Sequence, residues 1–306
     1  MKFRFSKTEI IHLILSAMLI TFLVSFNIKS EVSAVIRIAL VSTISLIFAV
    51  IIQKLVGLKY GLEAEYRIWA FREYTKPPKS FLRAIEDFFY DYTGILIPLA
   101  VFLITNAFWP FLAIASFIIK RPLKIRTGRF PFIKEKEVSA VAFFGVLSYL
   151  FVGLILNMFA PSGLIETKIP FLLALYSLIP LPNLPGSKIF FGGRITYIFT
   201  LAVTLSLFVL IPLLSVSYSL IISIAFALIL AGVYFYGMES GIKNPFSLER
   251  PSIEIGWKFL FVMILISLIF LFLYFTNVNI ITVISLAIVI TTLAIVLYYY
   301  LIGTKK

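Results

Sequence analysis

The 306-residue chain contains no cysteine, which removes disulfides, thiolate nucleophiles and cysteine-based metal sites from consideration and leaves the redox compartment unmarked. Histidine is almost as scarce: His12 stands alone. A catalytic zinc needs about three His or carboxylate ligands converging on it, which a single histidine cannot supply. A serine–histidine dyad would have to use the same His12, and no glycine-rich nucleophile turn accompanies a serine in the apolar runs. Charge is sparse as well. Only 13% of residues are charged against 61% hydrophobic, a balance that no soluble domain of this length shows, so the chain reads as an integral membrane protein.

What the sequence has instead is long apolar runs. The basic start "MKFRFSKTEI" leads into a run from Ile10 to Ile28 that is too long for a signal-peptide core and has no small-residue cleavage site, so it reads as a retained anchor. Membrane segments are expected at 10–28, 34–57, 138–160, 169–182, 195–214, 217–237, 257–275 and 278–302, the fourth short and proline-bounded. The run from Thr93 to Ile119 is different. A single crossing there would put the basic loops before and after it on opposite sides, against the preference of Lys and Arg for the cytoplasmic face. A broken, re-entrant segment turning at "NAFWP" (Asn106–Pro110) removes the conflict, and Pro98 and Pro110 suit a broken helix. All basic residues except Lys29, Arg37 and Lys168 then face the cytoplasm, as do both termini, in a multi-pass protein of the cell membrane. This asymmetry accounts for the net charge of +13. No aromatic–basic recognition module is present, so the expected partner of stretches such as "KRPLKIRTGRFPFIKEK" is anionic lipid and not nucleic acid.

The long cytoplasmic loop has patterning of its own. "LEAEYRIWAF" (Leu62–Phe71) alternates with the period of a strand, and "LKIRTGRFPFI" (Leu123–Ile133) is its expected partner. "KSFLRAIEDFFYDY" spaces its apolar residues as an amphipathic helix lying in the interface. The fold class is thus an all-α polytopic membrane protein: about eight transmembrane helices, a re-entrant or broken segment and a small cytoplasmic β-hairpin-like element. No domain boundary is visible, so residues 1–306 read as one membrane domain.

Every acidic residue, Glu9 and Glu166 included, falls outside the spans so drawn. That excludes an intramembrane aspartyl pair and removes the usual carboxylate of a proton relay. His12, at the end of the first span, reads as an interfacial residue. The remaining polar residues in apolar surroundings are Gln53, Asn106, Asn157 and Asn277, and the asparagines are read as helix–helix hydrogen-bonding groups.

Two passages resemble a known family. In "IFAVIIQKLVGLKYGLEAEYRIW" (Ile47–Trp69), residues Lys54, Lys59, Tyr60, Gly61, Ala64, Glu65, Tyr66, Arg67 and Trp69 resemble the tail that follows the HExxH helix of archaeal-type site-2 proteases, the zinc intramembrane metalloproteases. In "LYSLIPLPNLPGSKIFFGG" (Leu175–Gly193), residues Leu178, Pro180, Leu184, Gly186, Ser187 and Lys188 keep the frame of the family's "NLxPxxPLDGxK" passage. "FSKTEI" (Phe5–Ile10) resembles the family's start, and "KEVSAVAFFGVLSYLF" (Lys136–Phe151) stands where the family has its "GxxxxAGPxxN" helix with the motif nearly gone. The likeness covers roughly residues 5–195, a site-2-protease-like core; 196–306 would be an additional four-helix transmembrane region.

The departures fall on the chemistry that the resemblance implies. Ala49 and Gln53 stand where the two histidine ligands would be, and Val50 where the water-activating glutamate would be. Pro185 occupies the third-ligand aspartate position and Ser177 the preceding asparagine. Loss of all three ligands and the base leaves no metal, no cofactor and no catalytic residue to expect. The resemblance therefore implies a pseudoprotease that binds or scaffolds transmembrane segments of other membrane proteins, with Gln53, Asn183 and Lys188 as candidate partner-binding groups. The proline-rich loop would shape the cavity, since non-helical backbone within a membrane is tolerated only where protein or water receives it. The alternatives are a transporter or channel-type subunit, suggested by broken helices, and a membrane peptidase with an unrecognised site.

Overall fold

The computed structural model describes residues 5–26, 32–71, 88–122, 134–159 and 164–235. The chain divides into two compact units, Met1–Gly232 and Val233–Lys306; the described helices and strands belong to the first, which the last helix slightly overruns.

Helix α1 (Lys7–Ser25) begins with a reciprocal cap: the Ser6 hydroxyl accepts from the Glu9 amide while Glu9 accepts from the Ser6 amide. Helix α2 (Val32–Tyr60) has 29 residues, about 43 Å at 1.5 Å per residue, more than a hydrocarbon core requires. It stops at Gly61, whose φ of 72° is the left-handed geometry that ends helices. Strand β1 (Leu62–Ile68) begins directly after it.

Helix α3 (Thr93–Ile104) carries Pro98 and ends where Asn106 and Ala107 take positive φ of 50° and 63°. The chain then turns back into strand β2 (Ala115–Pro122), antiparallel to β1 with Tyr66 opposite Phe117 and Ile68 opposite Ala115. Both ends of this excursion return to one residue. The Gly94 N–H donates to the Trp69 carbonyl at 2.8 Å, and the Trp69 N–H donates to the Ile114 carbonyl at 2.8 Å. The segment 94–114 is therefore a broken loop closed at its base, with its turn at the predicted Asn106–Pro110. The predicted strand partner is corrected: β1 pairs with 115–122, which the sequence presented as the end of an apolar run, while 123–133 lies outside the described residues. Ala115, Phe117 and Ile118 are all buried, and a strand covered on both faces reads as a continuous apolar stretch instead of an alternating one.

Helices α4 (Glu135–Phe159), α5 (Ile165–Ser177), α6 (Pro185–Gly192), α7 (Arg194–Leu210) and α8 (Val216–Tyr234) complete the described chain. Four helices, α1, α2, α4 and α8, are long and apolar enough to cross a membrane. They match four of the predicted spans within a few residues. The predicted 169–182 and 195–214 correspond to α5 and α7, of 13 and 17 residues. Helix α5 is short because it is interior: from Glu166 to Ser177 every residue but Lys168 is buried, and it packs against α2, α4 and α7. The spans predicted at 257–275 and 278–302 lie outside the described residues, as does most of the predicted amphipathic helix; its Phe88–Asp91 end forms a helical turn before α3.

Helix contacts are set by small residues. A Cβ on Gly145 of α4 would lie 2.1 Å from the Gln53 amide nitrogen of α2, so Gly145 is the space in which Gln53 sits. A Cβ on Gly192 would lie 2.2 Å from that of Ser139, which brings α6 against α4. Asn157 joins helices as predicted, its amide donating to Gly153 of its own helix and to the Thr167 carbonyl of α5. Asn106 instead forms the left-handed turn after α3. Asn277 lies outside the described residues.

Candidate functional site

The passages singled out in the sequence meet in space. Side chains of α1 and α2 satisfy the edge of β1 that faces away from β2. Glu9 Oε1 accepts from the Tyr66 amide at 3.0 Å, His12 Nδ1 accepts from the Ile68 amide at 3.2 Å, and the Lys54 ammonium donates to the Ala64 carbonyl at 3.4 Å. The Tyr66 hydroxyl donates to Ser16 at 2.8 Å. Glu9, His12 and Ser16 lie three and four residues apart, hence on one stripe of α1. Unpaired strand edges invite pairing with other chains, and these side chains close this one.

Glu9 is fully buried and lies 2.9 Å from the Lys54 ammonium. This corrects the expectation that Glu9 lies outside the first span: the helix starts at Lys7, earlier than the apolar run, because the capping box starts it there. Glu166, also expected outside, is in the first turn of α5, buried and 2.7 Å from Arg37 of α2. A paired carboxylate and cation can be buried where either alone could not.

Glu65 accepts from Ser6 at 2.6 Å and Thr8 at 2.8 Å and pairs with Lys120 of β2 at 2.5 Å. Burial alone would raise its carboxyl, but the hydrogen bonds from Lys120, Ser6 and Thr8 and the Lys120 charge outweigh it and hold the group below the ordinary carboxylate range. Tyr66 is the opposite case, its phenol pushed well up by burial.

The proline-rich loop is clamped to the end of β1. The Trp69 indole donates to the Pro182 carbonyl at 2.8 Å, and the Asn183 amide donates to the carbonyls of Ala70 and Phe71 at 3.0 and 2.9 Å. Ser116 of β2 donates to the Asn183 carbonyl. Asn183 has φ of 65°, which an asparagine tolerates in a turn. Lys188 donates to the Phe117 carbonyl and stands 4.1 Å above the Phe117 ring centre. The Tyr197 hydroxyl donates to the Leu178 carbonyl at 2.8 Å. A Cβ on Gly186 would lie 2.2 Å from the Leu178 oxygen, so the return of the chain requires glycine there. The tip of the broken loop joins the same assembly through a hydrogen bond from the Trp109 indole to Tyr176.

The positions where the resemblance would place metal chemistry are all buried: Ala49, Val50 and Gln53 on α2, Ser177 at the end of α5, and Pro185 at the start of α6. Zinc does not fit this donor set. Ala49, Val50 and Pro185 offer no side-chain donor atom, Gln53 is packed into the space left by Gly145, and among the described residues no three His, Asp or Glu side chains converge. Of the candidate partner-binding groups, Asn183 and Lys188 are engaged with backbone carbonyls, and Gln53 lies between α2 and α4.

Sequence reasoning missed the Glu9–Lys54 and Arg37–Glu166 pairs. The available signal was Lys54 itself: a lysine inside an apolar run is expected to find a partner.

Four helices of crossing length, a buried polar network and a two-stranded ribbon define a helical membrane protein. Compared with protein-family models, curated proteins and solved structures, the chain matches none.

Proposed function

We propose that this protein is a catalytically inactive site-2-protease-like membrane protein, a pseudoprotease of the cell membrane with cytoplasmic termini, which holds transmembrane segments of other proteins without cutting them. One observation carries the reading. The passages that resemble the family, far apart in sequence, assemble into a single body: "FSKTEI" through Ser6, Thr8 and Glu9 onto Glu65 and Tyr66, and Trp69 onto Pro182 of the proline-rich loop. Residues of these passages touch one another here, while the positions that would perform hydrolysis hold Ala49, Val50, Gln53 and Pro185. A shape without that chemistry is what a binding role would require. The broken loop 94–114 gives the transporter-subunit alternative its footing, since broken helices recur in such proteins.

A photo-crosslinking residue at the exposed position 103 of α3 or 191 of α6, in the full chain in native membranes, tests the reading. The expected result is capture of an intact membrane-protein segment, with no stoichiometric zinc in the purified protein. About one zinc per chain, or cleavage of the captured segment, would overturn it.

A further inference from the structure

We propose that His12 is an acid-sensitive latch that holds the end of the ribbon, and with it the base of the broken loop, against α1. The latch is one hydrogen bond. His12 Nδ1 accepts from the Ile68 amide at 3.2 Å. The donor belongs to the main chain and cannot turn away as a hydroxyl would, so the ring nitrogen that faces it carries no proton. An imidazolium has two N–H groups and no acceptor. A proton on Nδ1 and this bond therefore exclude each other.

What depends on Ile68 is the residue that follows it. Trp69 donates its N–H to Ile114, its carbonyl accepts from the Gly94 N–H, and its indole donates to Pro182. Both ends of the broken loop and the proline-rich loop thus meet one residue beyond the latch. Along the edge of β1, Lys54 binds the Ala64 carbonyl, Glu9 the Tyr66 amide and His12 the Ile68 amide. His12 is the contact of the three nearest to Trp69, so its loss leaves that end of the strand held least.

Histidine is the side chain whose ordinary titration falls near neutral pH, and the sequence has no other. The charged groups that act on the ring are Glu65 and Arg67 of β1, of opposite sign. One turn earlier on α1, Glu9 is paired with Lys54 of α2, and Glu65 is paired with Lys120 of β2. Both carboxylates are therefore committed and do not replace the lost bond by capturing the charged ring. Helix α3 brings no charged or titratable side chain.

Hydrogen–deuterium exchange of the full chain in mixed micelles, resolved to single amides and corrected for the intrinsic pH dependence of exchange, tests this. From about pH 8 to about pH 5, across the usual range of a histidine, protection of the Ile68 amide should fall about tenfold, the scale of one lost hydrogen bond. Protection at the Trp69 and Gly94 amides should fall with it. His12→Gln keeps an oxygen acceptor that does not titrate, so protection should stay constant over this range. His12→Phe removes the acceptor, and protection at Ile68 should be low throughout. Constant protection in the unmodified protein would overturn the proposal. So would an equal fall in His12→Gln, which would assign the acid effect to carboxylates such as Glu9 and Glu65, or a fall confined to Ile68, which would separate the loop from the latch.

Discussion

Replacing Glu9 with glutamine removes the charge of the buried pair that joins α1 to α2. The substitution keeps an amide oxygen able to accept from the Tyr66 N–H; what is lost is the carboxylate oxygen that faces Lys54 at 2.9 Å and accepts from the Ser6 N–H at 3.3 Å. At an effective dielectric of about 20, two unit charges about 3 Å apart attract by roughly 5 kcal/mol. Glu9 is fully buried and the Lys54 side chain is 10% exposed, so water does little to replace the lost carboxylate. Removing one partner of such a pair costs about 3–5 kcal/mol, a large share of a typical stability of about 5–15 kcal/mol. The double variant Glu9→Gln with Lys54→Met removes the stranded charge and should recover most of that loss. Equilibrium unfolding in mixed micelles, monitored by tryptophan fluorescence, completes the double-mutant cycle. Glu9→Gln within about 1 kcal/mol of the unmodified protein would refute the pair's role, as would a double variant less stable than Glu9→Gln alone.

Gly145→Ala should destabilise by about 1–3 kcal/mol, because its Cβ would lie 2.1 Å from the Gln53 amide, and Gln53→Ala should restore much of the loss; thermal unfolding reads both. The Glu65 carboxyl is held below its unfolded value of roughly 4.3, so its stabilisation is fully present above that pH and is lost as pH falls through the lower folded value. Glu65→Gln should flatten that acid limb of a stability–pH profile. In this cysteine-free chain, a single cysteine at position 107 should resist an impermeant thiol reagent added outside intact cells, since 94–114 leaves and returns at Trp69; strong labelling would make the segment a true crossing. The quadruple variant Ala49→His, Val50→Glu, Gln53→His and Pro185→Asp should bind zinc weakly and cleave no transmembrane substrate. Position 185 opens α6 and position 53 is packed against Gly145, so neither is shaped to aim a ligand, and an error near 1 Å is enough to spoil catalysis.

Apolar runs are a local property, and residue order alone was enough to establish the membrane class, the helices at α1, α2, α4 and α8, and the break at Asn106–Pro110. Strand character at Leu62–Ile68 was legible too, because one strand alternates in its own residues. That Ala49, Val50 and Pro185 offer no metal-binding side chain needed only residue identities. Pairing did not reveal itself in this way. The partner of β1 was hidden because 115–118 is covered on both faces and has no alternation to read. Burial of Glu9 and Glu166 was hidden because a carboxylate's cost is cancelled by a cation 45 residues on in one case and 129 residues back in the other, at Lys54 and Arg37. The shortness of α5 was likewise a matter of neighbours: enclosed by α2, α4 and α7, it need not match the thickness of a bilayer. Those outcomes depend on which distant groups arrive at the same place, and no local stretch of the chain carries that information before the helices and the ribbon have packed.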